Sequence, residues 1–534
     1  MANAPNLDLI VDRPAGAAVV RAYLADDPAV RPFFRCHFSQ TSSYRAKAEE
    51  VDRRFDRAAR ERAAEAIIVP EGADPSRLER FVEEGGYMVT TGQQPALFGG
   101  PLYSMHKALT AVRLAETLEE RLGRPVLPVF WVASDDHDWN EANHVDVLDV
   151  DNELHRLELA APDPAILPPL HRIPLGASSN ALVDEFIQYL PTTDFSDQYF
   201  KLIRDAFGAR TTMPDAFHAT LQGLLGRFGI FFTDAADLGV KRHSRALLSA
   251  ELERAEEMEG VLAQTARELK DAGYDLQVPI LEGGVNLFME GPGGRERLYR
   301  KGDDFTLRTS GTTITRAEIE AAADADPRVL SPNVLLRPVV ESVVFPTLSY
   351  VGGPGEMAYF AQLRAYFSAH GVEMPVVFPR WAATPVERKV GKVLEKFEVS
   401  VADLHRPFHE IAGEVAREEV PDEVRGALGK LRGAIGAGAG ELQTAIKEVD
   451  PTLKGPIQHM RGQAFAAVDE VEKKIVAAVK RETDIALSQL EKAQRHLFPR
   501  GQPAERVQTP FYFLARYGDA FLDALYERFA VNLE

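Results

Sequence analysis

The sequence predicts an α/β protein: a doubly wound parallel sheet with inserted lobes, followed by a helical antiparallel coiled coil. Three observations carry this expectation. Nearly unbroken apolar runs such as Pro125–Ala133 (PVLPVFWVA) alternate with amphipathic helical stretches, the rhythm of strands buried on both faces of a parallel sheet. Glycine-rich loops follow several of these runs and lead into helices, as the turns of βαβ units do. Beyond Pro385 the apolar residues fall on three- and four-residue steps in two long segments joined by a Pro/Gly turn, as in a helical hairpin.

In chain order, residues 1–85 read as mainly helical, with Glu, Arg and Ala at helical spacing from Tyr44 to Ala66. Tyr87–Thr91 is a short strand, Leu102–Arg121 a helix and Pro125–Ala133 the next strand, which makes one βαβ unit. Phe228–Thr233 is a further strand ahead of a helix from Leu238. Glu341–Val351 is expected as a strand, then a helix over Met357–His370 and a strand at Pro375–Pro379. Residues 275–345 mix short strands with turns and read as an inserted β-rich lobe. The expected division is a core over 1–384 with lobes near 150–225 and 275–345, a coiled-coil arm over 385–500, and an aromatic tail, 501–534, docking back on the core. In the arm, Val424, Leu428, Leu431, Ile435, Leu442 and Val449 line one helix and Ile457, Val468, Val471, Ile475 and Ile485 the other. A coiled coil of this length is expected to pair with a second copy, giving a homodimer.

Composition narrows the function. The 534 residues carry a formal net charge of -19, which argues against nucleic acid, since phosphate binding needs clustered Lys and Arg. Cys36 is the only cysteine, so an intramolecular disulfide and a Cys-rich zinc site are excluded. The start, MANAPNLDLIVDRP, lacks a basic segment followed by an apolar run, and no stretch approaches the roughly 20 apolar residues of a membrane span. The expectation is a cytoplasmic protein without a membrane partner.

Three loops after strands concentrate chemistry. In TTGQQPALFGGPLYSMHK, Gly92, Gly99 and Gly100 allow close backbone approach while Gln93 and Gln94 offer neutral donors and acceptors. This is neither the P-loop nor the dinucleotide fingerprint. In ASDDHDWNEANH, titratable groups crowd the end of the most apolar strand. His137 flanked by Asp136 and Asp138 is a candidate general base for an amine. No metal-ligand spacing is found in that loop. In SYVGGPGEMAYFAQLR, Gly352 and Gly353 open a helix and Glu356 sits where a carboxylate caps it. Arg337 and Arg380 flank that strand as candidate carboxylate clamps.

The segments TTGQQPALFGGPLYSMHKALTAVRLA, PVFWVASDDHDWNEANHV and SPNVLLRPVVES…PTLSYVGGPGEMAYFAQLR closely resemble the bacillithiol biosynthesis cysteine-adding enzymes, the BshC family, and the resemblance runs the whole length. It implies a Rossmann-type core, a coiled coil that mediates dimerisation, and a ligase that adds L-cysteine to glucosaminyl-malate to give bacillithiol. It also implies ATP or ADP, with Mg, to activate the cysteine carboxyl, although the HIGH and KMSKS elements of class I synthetases are absent. Loop position and resemblance together assign catalysis to His137, Asp136 and Asp138. Substrate binding falls to Gly92, Gln93, Gln94, Gly99, Gly100, Tyr103, Lys107, Asn143, Arg337, Gly352, Gly353, Glu356 and Arg380, with Arg337 on the malate carboxylates and no metal ligand. Two alternatives stay open: a metal-assisted hydrolase using residues 135–144, and a coiled-coil scaffold that binds a metabolite.

Overall fold

The computed structural model describes residues 7–14, 16–161, 166–208, 210–482 and 484–534. The chain divides into two compact units, one comprising the residues up to Pro385 together with Glu505–Glu534, the other Val386–Ala504.

The strands that build the first unit's site are, in chain order, β1 (Tyr87–Gln93), β2 (Val126–Val132), β3 (Phe231–Asp234), β4 (Gly284–Gly291), β5 (Gly294–Lys301), β6 (Asp304–Leu307), β7 (Thr313–Ile314), β8 (Leu330–Pro332), β9 (Thr347–Gly352) and β10 (Val376–Pro379). Five of them form one sheet in the order β10-β9-β1-β2-β3, and every pair in it is parallel. The chain steps from β1 outward to β3, then returns to the other side of β1 and steps outward again. The order therefore reverses between β1 and β9, and a crevice opens beyond the carboxyl ends of those two strands.

Every residue of β2 is buried. Phe130 and Val132 enter one hydrophobic cluster, Val129 and Trp131 another, so successive side chains feed the two faces of the sheet. This two-sided burial is why the strand reads as a continuous apolar run. Helix α1 (Tyr103–Leu122) connects β1 to β2 and ends at Gly123 in the left-handed region, φ 67°, the usual helix stop.

The other five strands form an antiparallel lobe, β7-β6-β5-β4-β8. The expected strand at Glu341–Val351 is corrected: Arg337–Val344 is helix α2, and only Thr347–Gly352 is strand. Pro338 at the first turn suits a helix start, and an Arg337–Glu341 ion pair at 2.7 Å spans one turn. The expected helix over Met357–His370 begins earlier, as α3 (Pro354–Phe360), and breaks before Arg364–Ala369. The long N-terminal helix is likewise split, into Thr41–Arg54 and Arg57–Glu65. After the second unit the chain re-enters the first, where Phe511, Phe513 and Phe521 are fully buried in the same cluster as Phe98, Phe186 and Phe130.

The second unit is helical. Val390, Leu394, Leu404, Ile411, Leu490 and Leu497 make its own core. From it extends a hairpin of α4 (Asp422–Ala445) and α5 (Lys454–Glu482). Arg432 of α4 reaches Asp469 at 2.7 Å and Glu472 at 2.5 Å on α5, a pairing that fits an antiparallel hairpin. Among the described residues no helix is long and apolar enough to cross a membrane.

Candidate active site

A cleft of about 490 Å³ opens at the β1–β9 reversal, between the parallel sheet and the antiparallel lobe. That size suits a small-molecule site. Its first wall is the end of β1. A Cβ at Gly92 would lie 2.9 Å from the Trp131 carbonyl oxygen and 3.0 Å from its Cβ, so glycine lets the two strands close up here. Behind it, the buried Lys107 ammonium donates to Gly92 O at 2.8 Å and Gln93 Oε1 at 2.9 Å, and pairs with Glu356 at 2.6 Å. An ammonium has three donors, so Lys107 has none left for a ligand. Burial lowers its pKa, with Glu356 opposing. Gln93 Nε2 donates to Tyr103 Oη at 3.1 Å, and Gln94 Nε2 to the Asp138 carbonyl at 3.0 Å.

The second wall is the start of α3. Glu356 accepts from Gly353 N at 2.8 Å and also from the Tyr350 hydroxyl. Burial alone would raise its carboxyl pKa, but Lys107 and the Gly353 N–H outweigh it and the net direction is down. The helix start that commonly receives a phosphate is thus occupied by the chain's own carboxylate. Arg337, stacked 5.1 Å from the Tyr350 ring centroid, is paired with the buried Glu341.

The third element is the loop after β2. Asp136 Oδ1 accepts from the His137 N–H at 2.7 Å. Burial pushes this carboxyl up, yet the His137 ring beside it, the His137 backbone N–H and the charge of Arg295 hold it below the usual range. His137 Nδ1 lies 3.1 Å from Arg295 Nη1. Asp135 pairs with the buried Lys241 at 3.3 Å.

Several expected site residues do line this cleft: Gly92, Gln93, Gln94, Tyr103, Lys107, Asp136, His137, Arg337, Gly353, Glu356 and Arg380. Others are placed elsewhere or held by partners of their own. Asp138 accepts from Glu141 N at 3.0 Å and caps the short helix Trp139–Ala142, outside the lining. Asn143 is buried and donates to Leu159 O at 2.9 Å and Glu158 at 3.3 Å, fastening the ladder of His144–Leu148 with Leu154–Glu158. Gly99 and Gly100, at φ 76° and 69°, shape the turn against the helix Met213–Leu225, near Thr220 and Phe217. Gly352 lies outside the lining, and its carbonyl accepts from Arg380 N at 3.0 Å. Arg380 is not a free carboxylate clamp, because both its terminal nitrogens are held by Glu505, at 2.8 and 2.6 Å.

Glu505, Arg506, Arg295 and Arg297 were not legible as site residues. Glu505 also meets the buried His106 Nδ1 at 2.9 Å. Burial would raise its pKa, but His106 and Arg380 pull it down to about 2. Arg297 donates through Nε to Val285 O at 3.1 Å, and burial lowers its pKa. Among the described residues neither Arg297 nor Arg506 is ion-paired with a carboxylate, and both line the cleft. No group of three His, Cys, Asp or Glu side chains is placed to hold a metal ion among the described residues.

Comparison with known proteins agrees along the whole length. The family model for the N-terminal Rossmann-like domain of bacillithiol biosynthesis BshC matches residues 9–381, and that for the C-terminal coiled-coil domain matches residues 383–532. A protein of Salinibacter ruber named "Putative cysteine ligase BshC" is 32% identical over 514 residues, covering 94% of this chain and 92% of its own. A protein of the same name from Symbiobacterium thermophilum is 30% identical over 528 residues, covering 95% and 94%. One from Chlorobaculum tepidum is 31% identical over 459 residues, covering 82% and 80%.

Proposed function

The chain belongs to the bacillithiol biosynthesis BshC family, and from that premise we propose that its cleft joins the carboxyl group of L-cysteine to the amino group of glucosaminyl-malate, forming bacillithiol. A part in bacillithiol biosynthesis and a ligase activity go with the family.

The observation that carries it is the charge inventory of the cleft. Arg297 and Arg506 line it without a carboxylate partner among the described residues, whereas Lys107, Arg337 and Arg380 are each committed to an internal carboxylate. Two guanidinium groups without an internal ion pair suit a substrate that brings more than one carboxylate. Asp136, held anionic, suits the opposite end: it accepts from the amino group and takes the proton that the nitrogen sheds as the amide bond forms.

A carboxylate is a poor electrophile toward an amine, so ATP with Mg²⁺ is the co-substrate that turns the carboxyl oxygen into a phosphate-bound leaving group. The start of α3 does not fit its phosphates, because Glu356 fills that position. Arg297 and Arg506 fit a phosphate as well as a carboxylate.

Mass spectrometry on the purified protein with glucosaminyl-malate, L-cysteine and Mg-ATP, each omitted in turn, tests the reading. The expected outcome is a product at the mass of bacillithiol only in the full mixture. Product without ATP would remove the activation step, and no product in any mixture would remove the substrate assignment.

A further inference from the structure

Among the described residues His137 is the one imidazole in the cleft lining, and its nearest neighbours fix more than its position. Its Nδ1 has two candidate partners that demand opposite protonation states. Arg295 Nη1 lies at 3.1 Å and Asp136 Oδ1 at 3.5 Å. A guanidinium has donors and no acceptor, so a contact with Arg295 requires a bare Nδ1. A contact with Asp136 requires Nδ1–H.

Geometry favours Arg295. The Asp136 distance is at the outer limit of a hydrogen bond, and that same oxygen already accepts the His137 backbone N–H at 2.7 Å and the Asp138 N–H at 3.4 Å. Arg295 is buried and pinned on its other nitrogens: Nε donates to Ser331 Oγ at 2.9 Å, Nη2 to Pro332 O at 2.9 Å. Its guanidinium also stacks 4.1 Å from the Phe288 ring centroid. Three strands of the lobe, β4, β5 and β8, therefore hold Arg295 with Nη1 aimed at His137. An Nδ1–H would set two N–H groups head to head beside a fixed positive charge.

We propose that Arg295 is a positioning residue that locks His137 in the Nε2–H form, so that His137 donates a hydrogen bond from Nε2 to an oxygen of the bound substrate on which negative charge develops. This rests on the acyl-transfer reading above and deepens it. The role differs from the general base expected from sequence: a nitrogen that carries the proton cannot take one up, and the proton of the amine goes to Asp136. A preset donor costs no reorganisation when charge appears on the acyl oxygen.

The tautomer is read directly by NMR of the ¹⁵N-histidine-labelled full-length chain without substrates. The His137 signals, among 13 histidines, are identified by their loss in His137→Gln. A protonated Nε2 with a bare Nδ1 at neutral pH is expected; an Nδ1–H form or a doubly protonated ring overturns the proposal. In Arg295→Met, a proton on Nδ1 directed at Asp136 is expected, and an unchanged tautomer removes Arg295 from the role. Turnover separates donor from base. Gln places an amide N–H near the Nε2 position and Asn near Nδ1, so His137→Asn is expected to lower kcat/KM about 100-fold, with His137→Gln retaining the larger part. Equal losses overturn the donor role. Since the NMR needs no substrate, failure of the ligase reading leaves the tautomer measurable.

Discussion

Lys107 shows how a charged side chain in a cleft wall can be unavailable to a ligand. Its three donors go to Gly92, Gln93 and Glu356, which ties β1, α1 and α3 together across the strand reversal. The loop after β2 is similar. Its residue types are chemically provocative, but the side chains divide their labour: Asp135 pairs with Lys241, Asp136 and His137 face the cleft, and Asp138 caps a helix. Asp138→Ala is therefore expected to cost about 1 kcal/mol, a lost N-cap, with kcat/KM unchanged. Urea titration and a ligation assay on the same preparation check it, and a large fall in kcat/KM with stability intact would return Asp138 to the chemistry. Residue type and loop position were enough to find this cluster in the sequence. They could not show which way each side chain turns, because that depends on partners such as Arg295 that lie far along the chain.

At the scale of elements, the strands read most easily were those buried on both faces. β2 is a pure apolar run, and its neighbours in the sheet left similar traces. Helix α2 misread as strand because RPVVESVV is rich in β-branched residues, which favour strands locally. Burial of Val339, Val340 and Val344 against the core overrides that preference. The lobe strand β5, GRERLYRK, reads as an ordinary polar strand. Only its antiparallel pairing with β4 brings Arg295 and Arg297 to the cleft, and no local signal announces that. The hairpin α4–α5 was legible from its repeat, and it keeps apolar side chains in solvent: Leu431, Leu442, Met460 and Val471 are 44–52% exposed. We propose that a second copy of the chain covers this stripe. Leu431→Glu with Val471→Glu is expected to halve the mass measured by light scattering while circular dichroism stays unchanged; a wild-type chain that is already monomeric would end the dimer proposal.

For the molecule as a whole, the buried His106–Glu505–Arg380 cluster links the acid response to the fold. Glu505 falls from its ordinary 4.5 to about 2 in the folded chain, so its contribution to stability is complete above about pH 4.5 and is lost as pH falls toward 2. His106 is also lowered, from 6.5, chiefly by burial; its neutral form is the one the fold prefers, and stability declines once pH drops below 6.5. Both act in the same direction. Urea midpoints measured from pH 7 to pH 3 are expected to fall in the wild type and to fall less steeply in Glu505→Gln, which begins lower because Arg380 loses its buried partner, at about 3 kcal/mol. Parallel slopes would show that other groups dominate acid unfolding.

The same cluster has a bearing on how the protein is made. Arg380 is translated before the helical unit Val386–Ala504 and Glu505 after it. A nascent chain thus carries the cleft's arginine without Glu505 while more than a hundred further residues are assembled, and one of the first unit's hydrophobic clusters lacks Phe511, Phe513 and Phe521 until they leave the ribosome. Domain-by-domain folding during synthesis is open to the helical unit but not to the unit that holds the site. A chain interrupted between Glu505 and Phe521 would carry a well-formed hairpin on an unfinished first unit.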